Sequence, residues 1–182
     1  LFRSMFIKQL YTACLSEAAY YIESEGEAAI IDPLRETAPY LKMLEESGDK
    51  LKYIFETHFH ADFVSGHLDL AKQTGAQIIF GPDAKPNYEA RICRDNEKLL
   101  LGDCVLQVLH TPGHTIESIC VLLFDEHNNK HSLFSGDTLF VGDVGRPDLL
   151  SGNLSKEVLA SMLYDSIQQK IMPLKNQLYV KP

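Results

Sequence analysis

THFHADFVSGH, residues 57–67, follows the apolar run Leu51–Phe55 after one residue, Glu56, and the apolar run predicts a strand that ends at this polar segment. Within the segment, His58 and His60 stand two positions apart, and Asp62 follows two positions later. Imidazole and carboxylate groups are the usual protein ligands of zinc and of non-haem iron. The segment therefore predicts a metal site at a strand end, the alternative being a polar loop that holds its histidines by chance.

A second polar cluster, HTPGHT at residues 110–115, follows the predicted strand Cys104–Leu109. Its Pro-Gly pair forces a turn, and that turn is able to direct His114 back across the mouth of the sheet. His110 lies at the strand end, where we expect it to support the turn rather than to bind a metal. The alternative for His114 is a turn histidine that faces solvent.

A third cluster, SGDT at residues 135–138, follows the apolar strand Leu133–Phe134. Gly136 before Asp137 suits a ligand that needs a close approach of the backbone. Taken alone, Asp137 is more typical of a turn or a helix cap. Because strand ends on a rigid scaffold commonly hold catalytic groups, we expect the three clusters to converge on one point.

The rest of the chain predicts an α/β (α+β) domain in which strands and helices intermix without regular alternation. The further predicted strands are Phe6–Leu10, Ala18–Ser24, Ala28–Asp32, Gln77–Phe80 and Ser118–Phe124, with a hairpin turn at Glu25-Gly26. The predicted helices are Ala38–Ser47, a helix capped by Ser65 that ends near Thr74, and Ser155–Gln169. Two mixed sheets covered by outer helices fit this order best.

Length and composition narrow the classes of function. A chain of 182 residues suits one domain, and its net charge of −8 argues against a nucleic-acid partner. No run of about 18 apolar residues predicts a membrane span. The cysteines are Cys14, Cys93, Cys104 and Cys120, and they form no C-x-x-C pair. We therefore expect a reducing, cytoplasmic environment. We also expect Cys104 and Cys120 to be small buried apolar residues.

In this order and spacing, THFHADFVSGH, TPGHT and SGDTLF resemble the metallo-β-lactamase superfamily, in the branch related to glyoxalase II. GDVGRPDL, residues 142–149, is similar to the persulfide dioxygenases, also called sulfur dioxygenases, and especially to bacterial members fused to a rhodanese domain. The resemblance implies a four-layer αββα sandwich over residues 5–182. It also implies a chain that is truncated at the C-terminus, where relatives continue. Separately, Met5 is a candidate natural start, in which case residues 1–4 would be an addition; the alternative is that they belong to the natural chain.

One position departs from the pattern of the dinuclear hydrolases in this superfamily. Those hydrolases carry H-x-H-x-D-H, and here Phe63 stands where the last histidine would be. A phenyl ring offers no donor to a metal, so a two-metal hydrolytic site is disfavoured. The resemblance then implies one metal ion, held by the triad of two histidines and one carboxylate found in non-haem Fe(II) oxygenases; its ligands would be His58, His114 and Asp137.

The resemblance implies an iron-dependent dioxygenase with one Fe(II) per chain. Its substrates would be dioxygen and a small thiol persulfide, such as glutathione persulfide, whose terminal sulfur leaves as sulfite. His60 and Asp62 would orient a ligand or a bound water by hydrogen bonds. Arg146 would either anchor its loop by pairing with Asp148 or another acid, which we favour, or meet an anionic substrate.

Two other functions stay open on the sequence. The first is a glyoxalase II-like thioester hydrolase with zinc, against which Phe63 argues. The second is a non-catalytic metal-binding or regulatory relative, against which the complete triad argues. A rhodanese domain, fused or separate, is an expected partner, and assembly into a homo-oligomer is left open.

Overall fold

The computed structural model describes residues 5–12, 17–148, 154–174 and 178–182. In these residues the first sheet has six strands in sequential order; they are β1 (Phe6–Thr12), β2 (Glu17–Ser24), β3 (Glu27–Ile31), β4 (Lys50–Phe55), β5 (Gln77–Phe80) and β6 (Arg91–Ile92). The first three strands pair antiparallel, and the pairs from β3 to β6 are parallel. The carboxyl ends of β3, β4 and β5 therefore meet at one edge.

The second sheet has five strands among the described residues, in the order β11-β10-β9-β8-β7. They are β7 (Lys98–Leu101), β8 (Cys104–His110), β9 (Ile119–Phe124), β10 (Lys130–Phe134) and β11 (Tyr179–Lys181). Strands β7 to β10 pair antiparallel, whereas β11 runs parallel to β10. The helices are α1 (Ala38–Ser47), α2 (His67–Thr74) and α3 (Lys156–Ser166), and a π-helical turn follows α3 at Ile167–Ile171.

Three apolar clusters show how these elements are layered. The largest lies between the two sheets, where Ile22 and Phe55 of the first sheet pack with Val121 of the second. A second cluster joins the outer face of the first sheet to α1 and α2. A third joins the outer face of the second sheet to the segment after α3, through Ile171. This arrangement confirms the expected mixed α/β class and its order of helix, sheet, sheet and helix.

Most predicted elements are present, and the differences have local causes. Helix α2 begins at His67 with Gly66 as its N-cap, so the prediction that Ser65 caps it is wrong. A Cβ on Gly66 would lie 2.3 Å from the Leu34 carbonyl oxygen, so this position accepts only glycine. The Ser65 hydroxyl, one residue before the N-cap, accepts a hydrogen bond from the His67 N–H at 3.3 Å and contacts Glu56 Oε1 at 2.7 Å. The short strands β6, β7 and β11 were not predicted, and β10 begins earlier than expected.

The cysteines agree with the sequence expectation where the structure describes them. Cys93, Cys104 and Cys120 are free thiols and are buried. Cys14, residues 1–4 and Leu149 lie outside the described residues. In the described part of the chain, no helix combines the length and apolar character needed to span a bilayer.

Candidate metal centre

The three predicted clusters meet at one point, each delivered by the end of a strand. His58 follows β4 of the first sheet, His114 follows β8 of the second, and Asp137 lies in the short 3-10 turn after β10. Asp137 Oδ2 lies 3.4 Å from His114 Nε2 and 4.0 Å from His58 Nε2. One ligand atom from each of the three side chains lies within 4.8 Å of the other two.

The backbone around His58 is fixed by apolar and polar contacts of its neighbours. The Phe59 ring packs against Phe80, with 4.9 Å between ring centroids, and the Phe59 N–H donates to Glu117 Oε1. The Thr57 carbonyl accepts a hydrogen bond from Ile119 N–H at 2.8 Å, which ties the segment to β9. The imidazoles of His58 and His60, which flank Phe59 in the chain, lie close together, at 4.2 Å between centroids.

A hydrogen-bond chain behind His58 determines which ring nitrogen carries its proton. Thr57 Oγ1 has one hydrogen and donates it to Asp32 Oδ2 at 2.7 Å. The same oxygen lies 3.0 Å from His58 Nδ1 and must accept a hydrogen bond from it, so Nδ1 is protonated. The unprotonated Nε2, whose lone pair is free, is the nitrogen nearer to Asp137. Burial, followed by the charge of His60, lowers the pKa of His58 to about 3. His58 is therefore a neutral imidazole with a free donor nitrogen.

His114 is oriented by the loop that contains Arg146. His114 Nδ1 lies 3.0 Å from the Arg146 carbonyl oxygen, which only accepts hydrogen bonds, so Nδ1 carries the proton. Nε2 is again the nitrogen whose lone pair is free to bind a metal. This loop approaches the centre through Gly145, where an added Cβ would lie 1.7 Å from the Asp137 carbonyl oxygen. GDVGRPDL thus contributes to the centre through its backbone.

Asp137 is positioned by a second close backbone approach. Gly136 has φ of +46°, and a Cβ there would lie 2.5 Å from Thr57 Oγ1. The sequence analysis expected Gly136 to allow a ligand to approach the backbone closely. In the structure, the group that approaches Gly136 closely is the side chain of Thr57. Burial raises the pKa of Asp137, which the nearby His114 opposes. Its side chain remains 37% exposed, so the centre is open on one side.

The three side chains fit one metal ion of the zinc or non-haem iron type. Adjacent ligand atoms that each lie about 2.1 Å from one ion are roughly 3 to 3.4 Å apart. The observed separation of 3.4 Å matches this spacing, and that of 4.0 Å is somewhat longer. Two imidazoles with free Nε2 atoms and one carboxylate form a nitrogen and oxygen donor set that suits either metal.

His60 belongs to a second group of possible ligands, with Asp32 and Glu56. Its Nε2 lies 3.1 Å from Asp32 Oδ1 and 3.9 Å from Glu56 Oε2. Burial opposes a charge on His60, but the Asp32 carboxylate raises the pKa of His60 to about 9. Burial raises the pKa of Glu56 well above its ordinary value. Neither Asp32 nor Glu56 was predicted as a site residue, although each directly follows an apolar strand, and a position just after an apolar strand is the signal that identified Asp137.

The side chains of the other predicted site residues do not belong to the ligand group. Asp62 is exposed and belongs to neither cluster of ligand atoms, and Phe63 stacks on His60 with 4.2 Å between centroids. The Arg146 side chain is exposed and binds Asp148 through two hydrogen bonds of 2.8 and 3.0 Å, which is the favoured loop-anchoring alternative. His110 Nε2 contacts the Ile116 carbonyl oxygen across the turn, as its supporting role predicted.

A cavity of about 140 Å³ opens beside Asp137. Its walls include Glu17, His60, Phe140 and Lys181. Burial, followed by the charge of Asp32, raises the pKa of Glu17 to about 8, so this carboxyl holds a proton at neutral pH. Glu17 was not predicted as a site residue, because it opens a strand whose sequence carries no motif.

Comparisons with known proteins identify the family to which this fold belongs. The sequence profile of the metallo-beta-lactamase superfamily matches residues 13–92. The crystal structure of a metallo-beta-lactamase from Staphylococcus aureus superposes with a TM-score of 0.90 at 39% identity, over 98% of this chain and 56% of that one.

Relatives identified by sequence carry two different enzyme names. The human mitochondrial persulfide dioxygenase ETHE1 is 31% identical, over 86% of this chain and 58% of its own length. The hydroxyacylglutathione hydrolase GloC of Haemophilus influenzae is 30% identical, over 93% of this chain and 85% of its own length. The chain spans about half to two thirds of the length of several other curated relatives that it matches. Fold, centre and relatives together establish that the chain belongs to the metallo-β-lactamase superfamily.

Proposed function

We propose that the chain is an iron-dependent persulfide dioxygenase with one Fe(II) bound by His58, His114 and Asp137. The observation that carries the proposal is a ligand group of two histidines and one carboxylate, with Phe63 where dinuclear hydrolases have a histidine. Such a facial triad leaves coordination positions open for substrates, as in non-haem Fe(II) oxygenases. The similarity to the human persulfide dioxygenase supports the same reaction.

The proposed overall reaction is RSSH + O₂ + H₂O → RSH + SO₃²⁻ + 2 H⁺, in which the terminal sulfur is oxidised and dioxygen is reduced. When bound, iron supplies the redox chemistry that brings dioxygen and the sulfur to react. The cavity beside Asp137 has a volume of about 140 Å³. Typical ligand pockets have volumes of about 300 Å³ or more. The cavity therefore suits the terminal sulfur and dioxygen, and the body of the thiol would lie outside it.

The direct test is oxygen uptake by the iron-loaded protein in the presence of glutathione persulfide. We expect persulfide-dependent consumption of dioxygen with release of sulfite, and activity that depends on about one iron per chain. Protein loaded with zinc serves as the control, since zinc has no redox chemistry. Two tightly bound zinc ions per chain, with no oxygen uptake by any metal form, would contradict the proposal.

A zinc-dependent thioester hydrolase is the second candidate. It is favoured by the hydrolase relatives, two of which are 31% and 32% identical to the chain, similar to the 31% of the dioxygenase relative. S-lactoylglutathione separates the two functions, because a dioxygenase leaves this thioester untouched. Efficient thioester hydrolysis without persulfide-dependent oxygen uptake would make the hydrolase the better description.

Changing Phe63 to histidine tests why the site binds one metal. The Phe63 ring lies beside His60 at 4.2 Å, so the new imidazole would adjoin the existing ligand types without a change of backbone. We expect iron to bind at the first site as before and a second metal to bind weakly, with thioester hydrolysis at a low level. Titration of metal content measures this, and Phe63→Leu is the matched control that removes the ring without adding a donor. Loss of the first iron in Phe63→His alone would contradict the prediction.

A further inference from the structure

We propose that Asp32 is a positioning residue that keeps His60 out of the ligand set and so limits the metal to two imidazoles. The inference rests on the proposed ligands of the centre, but not on the reaction. It assigns a role to a buried carboxylate that no motif in the sequence identified.

His60 is close enough to become a ligand. Its ring lies 4.2 Å from the ring of His58, and it lines the same cavity as Asp137. The side chain of His60 is 4% exposed, so it does not escape into solvent. What turns its Nε2 away from Asp137 is the 3.1 Å hydrogen bond to Asp32 Oδ1.

Asp32 is itself held rigidly, which makes it an effective anchor. Its Oδ1 accepts from Thr57 N–H and its Oδ2 from Thr57 Oγ1, both at 2.7 Å. Its own N–H donates to the Phe55 carbonyl at 2.9 Å. The residue has φ of +49°, a conformation that asparagine, aspartate and glycine adopt most readily. Both carboxylate oxygens are therefore fixed by Thr57, and the backbone of Asp32 is tied to the last residue of β4.

One carboxylate thus acts on two histidines in opposite ways. Through Thr57 it orients His58 with a free Nε2, and directly it retains His60. A third imidazole on the metal would take one of the positions that two histidines and one carboxylate leave open. The chemistry that we propose needs a persulfide sulfur and a dioxygen side by side, so a released His60 would leave fewer positions for the substrates and for water.

The test counts imidazoles on Cu(II) bound to the intact protein by pulsed EPR, a measurement that requires no catalysis. We expect two imidazoles in the unchanged chain and three in Asp32→Gly, where glycine tolerates the positive φ. The double variant with His60→Ala should return to two, which identifies His60 as the added ligand. Thr57→Val is the control. It removes the hydrogen bonds that the Thr57 hydroxyl makes to Asp32 and His58, and it leaves the hydrogen bond between Asp32 and His60, so the metal should keep two imidazoles.

Three imidazoles in the unchanged chain, or two in a folded Asp32→Gly protein, would overturn the proposal. If Asp32→Gly does not fold, Asp32→Asn replaces it, because asparagine preserves volume and tolerates this φ. A neutral amide oxygen holds His60 less strongly than a carboxylate, so a fraction of Asp32→Asn should bind three imidazoles. A fraction of zero would count against the role of Asp32. A thioester hydrolase would give the same counts, so this result is separable from the failure of the proposed dioxygenase.

Discussion

Replacing Asp137 by alanine is expected to abolish metal binding, and His114→Ala is expected to do the same. The reason is the small number of donors: three side chains supply the whole ligand group, and Asp137 is its one carboxylate. Its Oδ2 is also the atom that approaches both histidine nitrogens, at 3.4 and 4.0 Å. Metal content per chain after dialysis, together with calorimetric titration of Fe(II) without oxygen, measures the effect.

His60→Ala is the matched control for both of these variants. Its imidazole is buried beside the ligand group but is hydrogen-bonded to Asp32. Losses of groups that only support a ligand are typically about 10–100-fold in affinity, so most of the metal should remain bound. A loss from His60→Ala equal to that from His114→Ala would show that the assignment of ligands is wrong.

Gly145→Ala should have the second-largest effect, although this residue has no side chain. The added Cβ would lie 1.7 Å from the Asp137 carbonyl oxygen and 3.1 Å from His114 Cβ. The backbone of Asp137 cannot move aside as the end of a flexible side chain can. Asp137, His114 and the Arg146 carbonyl that orients His114 must therefore shift. Overpacking of this kind costs about 1–3 kcal/mol in stability, and displaced support for a ligand costs about 10–100-fold in metal affinity.

Gly142→Ala distinguishes a displaced ligand group from general strain in the loop. Gly142 has φ of +83°, and a Cβ added to it would meet no described atom within 4 Å. Alanine there is strained but unobstructed, so it should lower the melting temperature without a change in metal affinity. Equal affinity in Gly145→Ala and the unchanged chain would contradict the proposed effect of the loop on Asp137 and His114.

The convergence of the ligands was predictable because strand ends are visible in the sequence. His58, His114 and Asp137 each follow an apolar run, and the parallel and antiparallel pairings bring those ends to one side. Asp32 escaped notice because the pattern placed it inside a strand, whereas β3 ends at Ile31. An error of one residue in the predicted end of β3 therefore assigned Asp32 to the strand, when it is the residue after the strand that holds His60.

Side-chain direction was harder to predict than position. Asp62 belongs to a dense motif, yet the loop turns at this point and leaves it exposed. Arg146 was considered for the charge of its side chain, but its carbonyl is the group that contacts His114. Backbone groups carry no residue identity, so a sequence motif identifies the segment without showing which of its atoms matters.

The two sheets contribute unequally to the centre, with His58 from the first and His114 and Asp137 from the second. An ion bound by these side chains would therefore act as a crosslink across the sandwich, joining points of the chain that lie far apart in sequence. Binding to the native state alone stabilises a protein by about 2.7 kcal/mol when the free ion is at 100 times its Kd. Thermal stability and resistance to proteolysis would consequently follow the supply of metal, and a shortage would act on the amount of folded protein as well as on its activity.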